Sequence, residues 1–146
     1  MARVSASVEV PHPIDHVFAT ATRIADLPRW MPEVVHAELL DPELVIGSRV
    51  LLRLSPATGN AEITGTVREL VAPTLLRIEG SGGPLTVGVR TVLTATGPSA
   101  TTAELEIDIV TPAFLGFIAT EAARRIDAEL PASLARLRAL LEADGG

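Results

Sequence analysis

Apolar and polar residues alternate along most of the chain, and this alternation predicts β-strands. The clearest case runs from residue 101 to 110, where Ala103, Leu105, Ile107 and Ile109 alternate with polar side chains. A period of two places the apolar residues on one face of a strand, which is typical of a half-buried sheet. The same reasoning predicts strands at residues 4–10, 34–40, 48–54, 61–72, 75–79, 85–96 and 101–110.

Helical periodicity appears in two places. After Pro13, the apolar residues Ile14, Val17 and Phe18 share one helical face, and a second short helical piece follows before the turn around residues 28–32. From residue 112 onward, apolar residues recur every three or four positions and predict one long C-terminal helix. The stripe of that helix consists of Leu115, Ile118, Ala122, Ile126, Leu130, Leu134, Leu137 and Leu141.

Several residues predict where these elements begin, bend and end. Thr111 is predicted to cap the long helix and Pro112 to be its first residue. Pro131 lies within the pattern and is predicted to kink or divide the helix. Turn-forming residues predict a loop at 55–60, a flexible loop at 80–84 and a hairpin connection at 97–100.

The order of elements predicts an α+β fold. One strand is followed by two short helices, six strands and a long helix, an order typical of an antiparallel sheet with a helix on one side. The apolar stripe of the long helix has to be covered, and a strongly curved sheet wrapped around the helix would cover it. A length of 146 residues fits a single domain, 1–146.

Composition and charge exclude several classes of function. The chain has no Cys, Lys or Tyr, so disulfides, thiolate metal sites, Cys nucleophiles and Schiff-base lysines are excluded. The net charge of −6 is spread evenly over the two halves, which makes nucleic acid and anionic membrane surfaces poor partners. The chain starts without an apolar leader and has no 18-residue apolar run, so we expect a cytoplasmic protein without stable membrane insertion. Abundant Ala and Arg without Lys are typical of GC-rich bacterial coding.

Four segments resemble motifs of a known superfamily. They are the strand-to-helix entry at residues 8–18, the Asp-Leu-Pro-Arg-Trp-Met-Pro turn at 26–32, the Gly-Ser-Arg-Val strand entry at 47–50, and the Thr-Val-Leu pattern at 91–93. In these the chain resembles the START-like superfamily, also called SRPBCC, and within it the polyketide cyclase/dehydrase branch. The resemblance implies a helix-grip fold, in which a curved seven-stranded antiparallel sheet grips the C-terminal helix, with two short helices after the first strand. It also implies a deep apolar cavity between sheet and helix, in which members bind lipids, sterols or polyketides, and some cyclise or dehydrate them.

The residue sizes are consistent with such a cavity. Several positions predicted to face inward are small (Ala37, Gly65, Gly88, Ala103, Ala119 and Ala122), and the chain has only three Phe and one Trp to fill the interior. An unfilled apolar space would suit an apolar ligand, although Leu, Ile and Val could instead fill it. Trp30 could form the mouth of the cavity or simply anchor its turn. The residues predicted to bind the ligand are Trp30, Val50, Leu52, Val67, Arg90, Leu105, Ile107, Leu115, Ile118 and Ala122.

Few side chains offer chemistry. Arg90 shares a strand face with Gly88 and Val92; if that face points inward, Arg90 is a cation for a carboxylate or phenolate, and otherwise it is a solvated side chain. The three histidines, His12, His16 and His36, do not form a metal-binding motif. We therefore expect no metal and no cofactor, and we assign no catalytic residue.

Three functions remain open at this point. The first is a binding protein for a small hydrophobic ligand, without chemistry. The second is a cyclase or dehydratase, which would need a polar acid–base group inside the cavity. The third is a protein-interaction module, which would expose a large apolar patch. The scarcity of polar residues predicted inside favours binding, and the sequence makes no prediction of the oligomeric state.

Overall fold

The computed structural model describes residues 2–55 and 62–145 and has one curved, antiparallel sheet of seven strands. Its order is β1-β7-β6-β5-β4-β3-β2, so every strand pairs with its neighbour in the chain except that β1 pairs with β7. This confirms the predicted seven-stranded sheet. The strands are β1 (Ala2–Val10), β2 (Val34–Leu39), β3 (Arg49–Leu54), β4 (Glu62–Val71), β5 (Leu75–Gly82), β6 (Leu85–Gly97) and β7 (Ala100–Val110).

Two short helices follow β1, as predicted. The first is α1 (Ile14–Ala21), which begins after Pro13, whose carbonyl accepts hydrogen bonds from the backbone N–H groups of His16 and Val17. The second is α2 (Leu27–Trp30), preceded by a 3₁₀ turn at Ile24–Asp26. Both helices contact the long C-terminal helix α3 (Gly116–Gly145), which lies against the sheet. The predicted helix-grip fold is therefore confirmed.

The start and the middle of α3 differ from the prediction. The assignment of Thr111 as the cap was wrong, because a 3₁₀ turn at Ala113–Leu115 precedes α3 and the Thr111 hydroxyl donates to the carbonyl of Leu115. Pro131 does not divide the helix, which is continuous through it. Pro131 is exposed while its neighbour Leu130 is buried, so the packing of the apolar stripe outweighs the one lost hydrogen bond.

The predicted flexible loop at 80–84 is mostly strand. β5 continues to Gly82 and β6 starts at Leu85, so only residues 83–84 connect them. The glycines serve close packing here: a Cβ on Gly80 would lie 2.6 Å from the Thr64 carbonyl oxygen, and one on Gly82 would overlap the Glu62 carbonyl oxygen. The predicted loop at 55–60 falls, apart from Ser55, outside the described residues.

A pair of facing glycines lies at a close approach of β4 and β5. Gly65 and Gly80 are register partners, and a Cβ on Gly80 would lie 2.6 Å from the Cα of Gly65. The register also shifts between Val67 and Glu69 of β4, an irregularity of the kind that increases local twist and bending. These features favour the strong curvature that gives the sheet a concave face toward α3.

The core fills only part of the space between the concave face and α3. The second half of α3 is firmly packed, with Leu130, Leu134, Leu137 and Leu141 all at most 2% exposed. The first half buries only the small residues Ala119 and Ala123. Small side chains on this half of the helix leave a space opposite the middle of the sheet.

Candidate functional site

An apolar cavity lies between the concave face of the sheet and the first half of α3. It encloses about 90 Å³ and is partly open to solvent. Every strand except β1 contributes to its wall, together with α1, α2 and α3. The lining residues are, in chain order, Ala21, Ile24, Leu27, Trp30, Met31, Glu33, Val34, Leu52, Leu54, Ile63, Gly65, Leu76, Ile78, Gly80, Leu85, Val87, Val89, Thr91, Leu105, Ile107, Ile109, Ala122 and Ile126.

The period-two pattern of the strands explains which side chains reach the cavity. On β7, Leu105, Ile107 and Ile109 face inward, and the residues between them face outward. Of those outward residues, Asp108 accepts a hydrogen bond from the Arg3 side chain on the neighbouring strand β1. The inner face is thus apolar and the outer face carries ion pairs, as the alternation predicted for β7.

Five of the ten residues predicted to bind the ligand line this cavity. They are Trp30, Leu52, Leu105, Ile107 and Ala122. Trp30 is 1% exposed and forms part of the wall, so it packs into the core and borders the space at the same time.

The other five predicted residues lie elsewhere. Val50 and Val67 are at most 1% exposed but do not border the cavity, because they are enclosed within the packed core. Leu115 is half-buried in the turn before α3. Ile118 lies one turn before Ala122, at the start of α3, and is 39% exposed.

Arg90 lies on the outer face of the sheet. Successive residues of β6 alternate between the two faces of the sheet, and those that line the cavity are Leu85, Val87, Val89 and Thr91. Arg90 therefore belongs to the opposite face, where it is exposed. It is the register partner of Arg77 on β5 and of Glu106 on β7, so it belongs to the charged outer surface. The sequence pattern fits either orientation of Arg90, because apolar residues occur on both faces of this strand.

The most informative residue that the sequence analysis missed is Glu33. It lies between α2 and β2 and contributes to the cavity wall. Its half-burial raises the pKa of its carboxyl group, and the nearby Glu129 carboxylate raises that pKa further, whereas its own backbone N–H and Arg136 lower it. Its sequence position directly after the Trp-Met-Pro turn, three residues from the candidate mouth residue Trp30, was the one available signal.

Trp30, another residue of the wall, contains a buried polar atom. Its indole nitrogen Nε1 is buried and has no hydrogen-bond partner among the described residues. A buried N–H without an acceptor is uncommon in folded proteins, because the lost hydration is not compensated.

The histidines lie away from the cavity. The rings of His12 and His16 have centroids 5.4 Å apart, and both Nε2 atoms are buried without a partner in the described part of the chain. His36 is exposed on β2, with Nε2 3.8 Å from a carboxylate oxygen of Glu38. Within residues 2–55 and 62–145, no three His, Cys, Asp or Glu side chains come together in a group that could hold a metal ion.

Two surface properties bear on possible partners. Phe114, in the 3₁₀ turn before α3, and Phe117, in the first turn of α3, are 79% and 70% exposed, although Phe is usually buried. None of the helices in the described ranges combines the length and the apolar character needed to cross a membrane.

Comparison with known proteins places the chain in a family and a fold. Residues 1–142 match the family described as polyketide cyclase / dehydrase and lipid transport. No curated protein sequence matches the chain.

Several solved structures share the fold at low sequence identity. A START superfamily protein from Mycobacterium smegmatis is 16% identical, with a TM-score of 0.74 over 94% of this chain and 98% of that one. The Zhui aromatase/cyclase from Streptomyces sp. R1128 is 16% identical, with a TM-score of 0.75 over 97% of this chain and 93% of its own. A protein from Thermus thermophilus is 17% identical, with a TM-score of 0.80 over 99% and 100% of the two chains. At such identity these similarities establish a common fold.

Proposed function

The chain belongs to the polyketide cyclase/dehydrase and lipid transport family, and from the cavity that its fold encloses we propose that it binds a small hydrophobic molecule, lipid-like or polyketide-like. The observation that carries this proposal is the composition of the cavity wall. Of the 23 lining residues in the part of the chain that the structure describes, only Glu33 and Thr91 have side chains usually counted as polar, and the rest are apolar or glycine. When an apolar molecule binds against such a wall, apolar surface is removed from water, which is favourable. A polar molecule would find few hydrogen-bond partners there.

The five predicted residues that line the cavity are the proposed ligand contacts. Leu52, Leu105 and Ile107 form part of the sheet side, Ala122 belongs to the helix side, and Trp30 to the α2 side. We add Ile126, one turn after Ala122 on α3. The ligand would lie between the sheet and α3 and replace the missing large side chains of the first half of the helix.

The size of the cavity indicates how a ligand would sit in it. A cavity of about 150 Å³ in another protein binds benzene, and the enclosed space here measures about 90 Å³. A lipid-sized or polyketide-sized ligand would therefore fill the enclosed space with one part and extend through the open side with the rest. Alternatively, the loosely packed first half of α3 would move outward to admit it.

We propose binding without chemistry. A cyclase or dehydratase needs groups that remove and return protons at the reacting carbon and oxygen atoms. Among the described residues of the wall, Glu33 is the single ionisable side chain, and it has no ionisable partner there. One carboxyl group gives the cavity a polar end but not the acid–base pair expected for these reactions.

The first experiment asks whether the protein carries a ligand after purification. Native mass spectrometry of protein prepared without detergent, followed by organic extraction, should reveal an apolar adduct. In parallel, the purified protein is titrated with the uncharged dye N-phenyl-1-naphthylamine. Trp30 is the only Trp, the chain has no Tyr, and Trp30 borders the cavity, so its emission reports on binding there.

Two matched variants locate the bound dye. Ala122→Leu extends a side chain into the cavity, and Ala128→Leu makes the same change at an exposed position of the same helix. We expect Ala122→Leu to weaken dye binding at least tenfold and Ala128→Leu to change it less than twofold. If the dye fails to bind saturably, or if the two variants behave alike, the cavity is not the binding site and the proposal fails.

A further inference from the structure

The cavity wall contains one ionisable group, and it is acidic. Glu33 is the only Asp, Glu, His, Lys or Arg among the lining residues of the described chain, and residues 56–61 contain none of these in their sequence. Arg90 lies between two lining residues of β6, but its side chain is on the outer face of the sheet. The wall therefore offers no positive charge that could neutralise an anionic group of a ligand.

Glu33 borders the cavity, and its half-burial keeps its carboxyl group away from full hydration. Glu33 is half-buried between α2 and β2 and faces α3, from which Glu129 and Arg136 act on it with opposite signs. Its backbone carbonyl accepts a hydrogen bond from the N–H of Ser55 at the end of β3, which ties the backbone at this position to the sheet. Glu33 therefore contributes an acidic residue to the cavity wall, and its backbone is fixed at that place by β3.

We propose that Glu33 is a specificity-determining residue that makes the cavity select uncharged hydrophobic molecules and reject those with a carboxylate or another anionic group. The inference rests on the proposed function, because it concerns the ligand of the same cavity. It assigns the ligand to neutral compounds such as alcohols, ketones, phenols and esters, and it excludes free fatty acids as preferred ligands at neutral pH.

The physical basis is Coulomb repulsion in a poorly solvated space. A ligand anion in the cavity would lose hydration without gaining a cationic partner, and it would lie near a second negative charge. With the effective dielectric constant of about 20 that describes pairs near a protein surface, two unit charges about 12 Å apart repel each other enough to change affinity about tenfold. An uncharged ligand of the same shape does not experience this repulsion.

A pair of dyes that differ by one anionic group tests the proposal. N-phenyl-1-naphthylamine is uncharged, and 8-anilinonaphthalene-1-sulfonate has the same ring system with an added sulfonate that stays ionised at every working pH. The dissociation constants of both dyes are measured for the wild type, for Glu33→Gln and for Glu104→Gln. Glu104 is exposed on β7, so its variant makes the same change in net charge away from the cavity.

The quantity compared is the ratio of the two dissociation constants, because the ratio cancels effects that both dyes share. We expect Glu33→Gln to improve the binding of the sulfonate relative to the neutral dye about tenfold. Glu104→Gln should change the ratio less than twofold, since an exposed and distant charge is screened. Burial raises the pKa of Glu33, so as the pH falls toward that raised pKa the wild-type ratio should move toward that of Glu33→Gln, which should itself stay constant.

The outcomes separate this proposal from the previous one. If the neutral dye does not bind the cavity at all, both proposals are overturned. If it binds there but the ratio is the same in the wild type and in Glu33→Gln, the cavity binds ligands and Glu33 does not select them. If Glu33→Gln and Glu104→Gln change the ratio equally, the overall charge of the protein is responsible, and the assignment of selectivity to Glu33 is wrong.

Discussion

The close approach of β4 and β5 at a pair of facing glycines gives the sharpest prediction about what shapes the cavity. A Cβ on Gly80 would lie 2.6 Å from the Gly65 Cα, 2.6 Å from the Thr64 carbonyl oxygen and 2.9 Å from the Gly65 amide nitrogen. An ordinary contact starts at about 3.4 Å, so Gly80→Ala requires the strands to separate by about 0.8 Å (3.4 minus 2.6). All three neighbours are backbone atoms, which cannot rotate away as a side chain could.

The expected loss of stability follows from this overlap. Insertions that force backbone shifts in a packed structure typically cost 1–3 kcal/mol, and we expect Gly80→Ala to lower the free energy of unfolding by about 3 kcal/mol, at the upper end of that range. For a chain of this length, that corresponds to a fall in Tm of about 9 °C. The assay is urea denaturation followed by far-UV circular dichroism and by Trp30 emission, whose transitions should coincide if unfolding is two-state.

Two other glycines of the same sheet provide graded controls. A Cβ on Gly88 would meet only Asp108 side-chain atoms, at 3.8 and 3.9 Å, so Gly88→Ala should be neutral or stabilise by about 0.5 kcal/mol. A Cβ on Gly65 would lie 2.9 Å from a methyl group of Ile78, which can shift, so Gly65→Ala should cost about 1–2 kcal/mol. If Gly80→Ala proves as stable as Gly88→Ala, the argument that these glycines permit the close approach of β4 and β5 is refuted.

Three further predictions test the packing and the electrostatics. Leu137→Ala removes a side chain that is 1% exposed and should cost about 3 kcal/mol in urea denaturation, whereas Leu40→Ala, at a position 40% exposed, should cost less than about 1 kcal/mol; equal costs would contradict the assigned face of α3. Burial raises the pKa of Glu33, so the folded state loses stability as pH rises through that raised pKa. In thermal melts, Glu33→Gln should therefore raise Tm at about pH 8 and leave it unchanged at about pH 4. A difference in Tm that persists at low pH would be due to packing instead. Hydrogen bonds from the backbone N–H and the side chain of Arg49 lower the pKa of Asp41. Asp41→Ala should therefore lower Tm at neutral pH, and a series of thermal melts should show that the difference in Tm decreases as the pH falls through that lowered pKa.

The sequence by itself determined the order of the elements and the faces of most of them. The alternation along β7 assigned Leu105 and Ile107 to the inner face, and the three-to-four-residue spacing assigned Leu134 and Leu137 to the buried side of α3. These assignments succeeded because they depend on local geometry, in which side chains repeat with the period of their own strand or helix. The resemblance to the START-like superfamily then supplied the arrangement of the elements, and the family match and the fold confirmed it.

Only the tertiary structure decided which inward-facing residues border a space and which are enclosed by neighbours. Val50 and Leu52 lie on the same face of β3, yet Val50 is packed in the core and Leu52 lines the cavity. The difference depends on how strongly the sheet curves and on what lies opposite each residue, and both depend on contacts between distant parts of the chain. Arg90 and Glu33 illustrate the same limit: the pattern around Arg90 fitted either face, and Glu33 borders the cavity only because α2, β2 and α3 meet beside it.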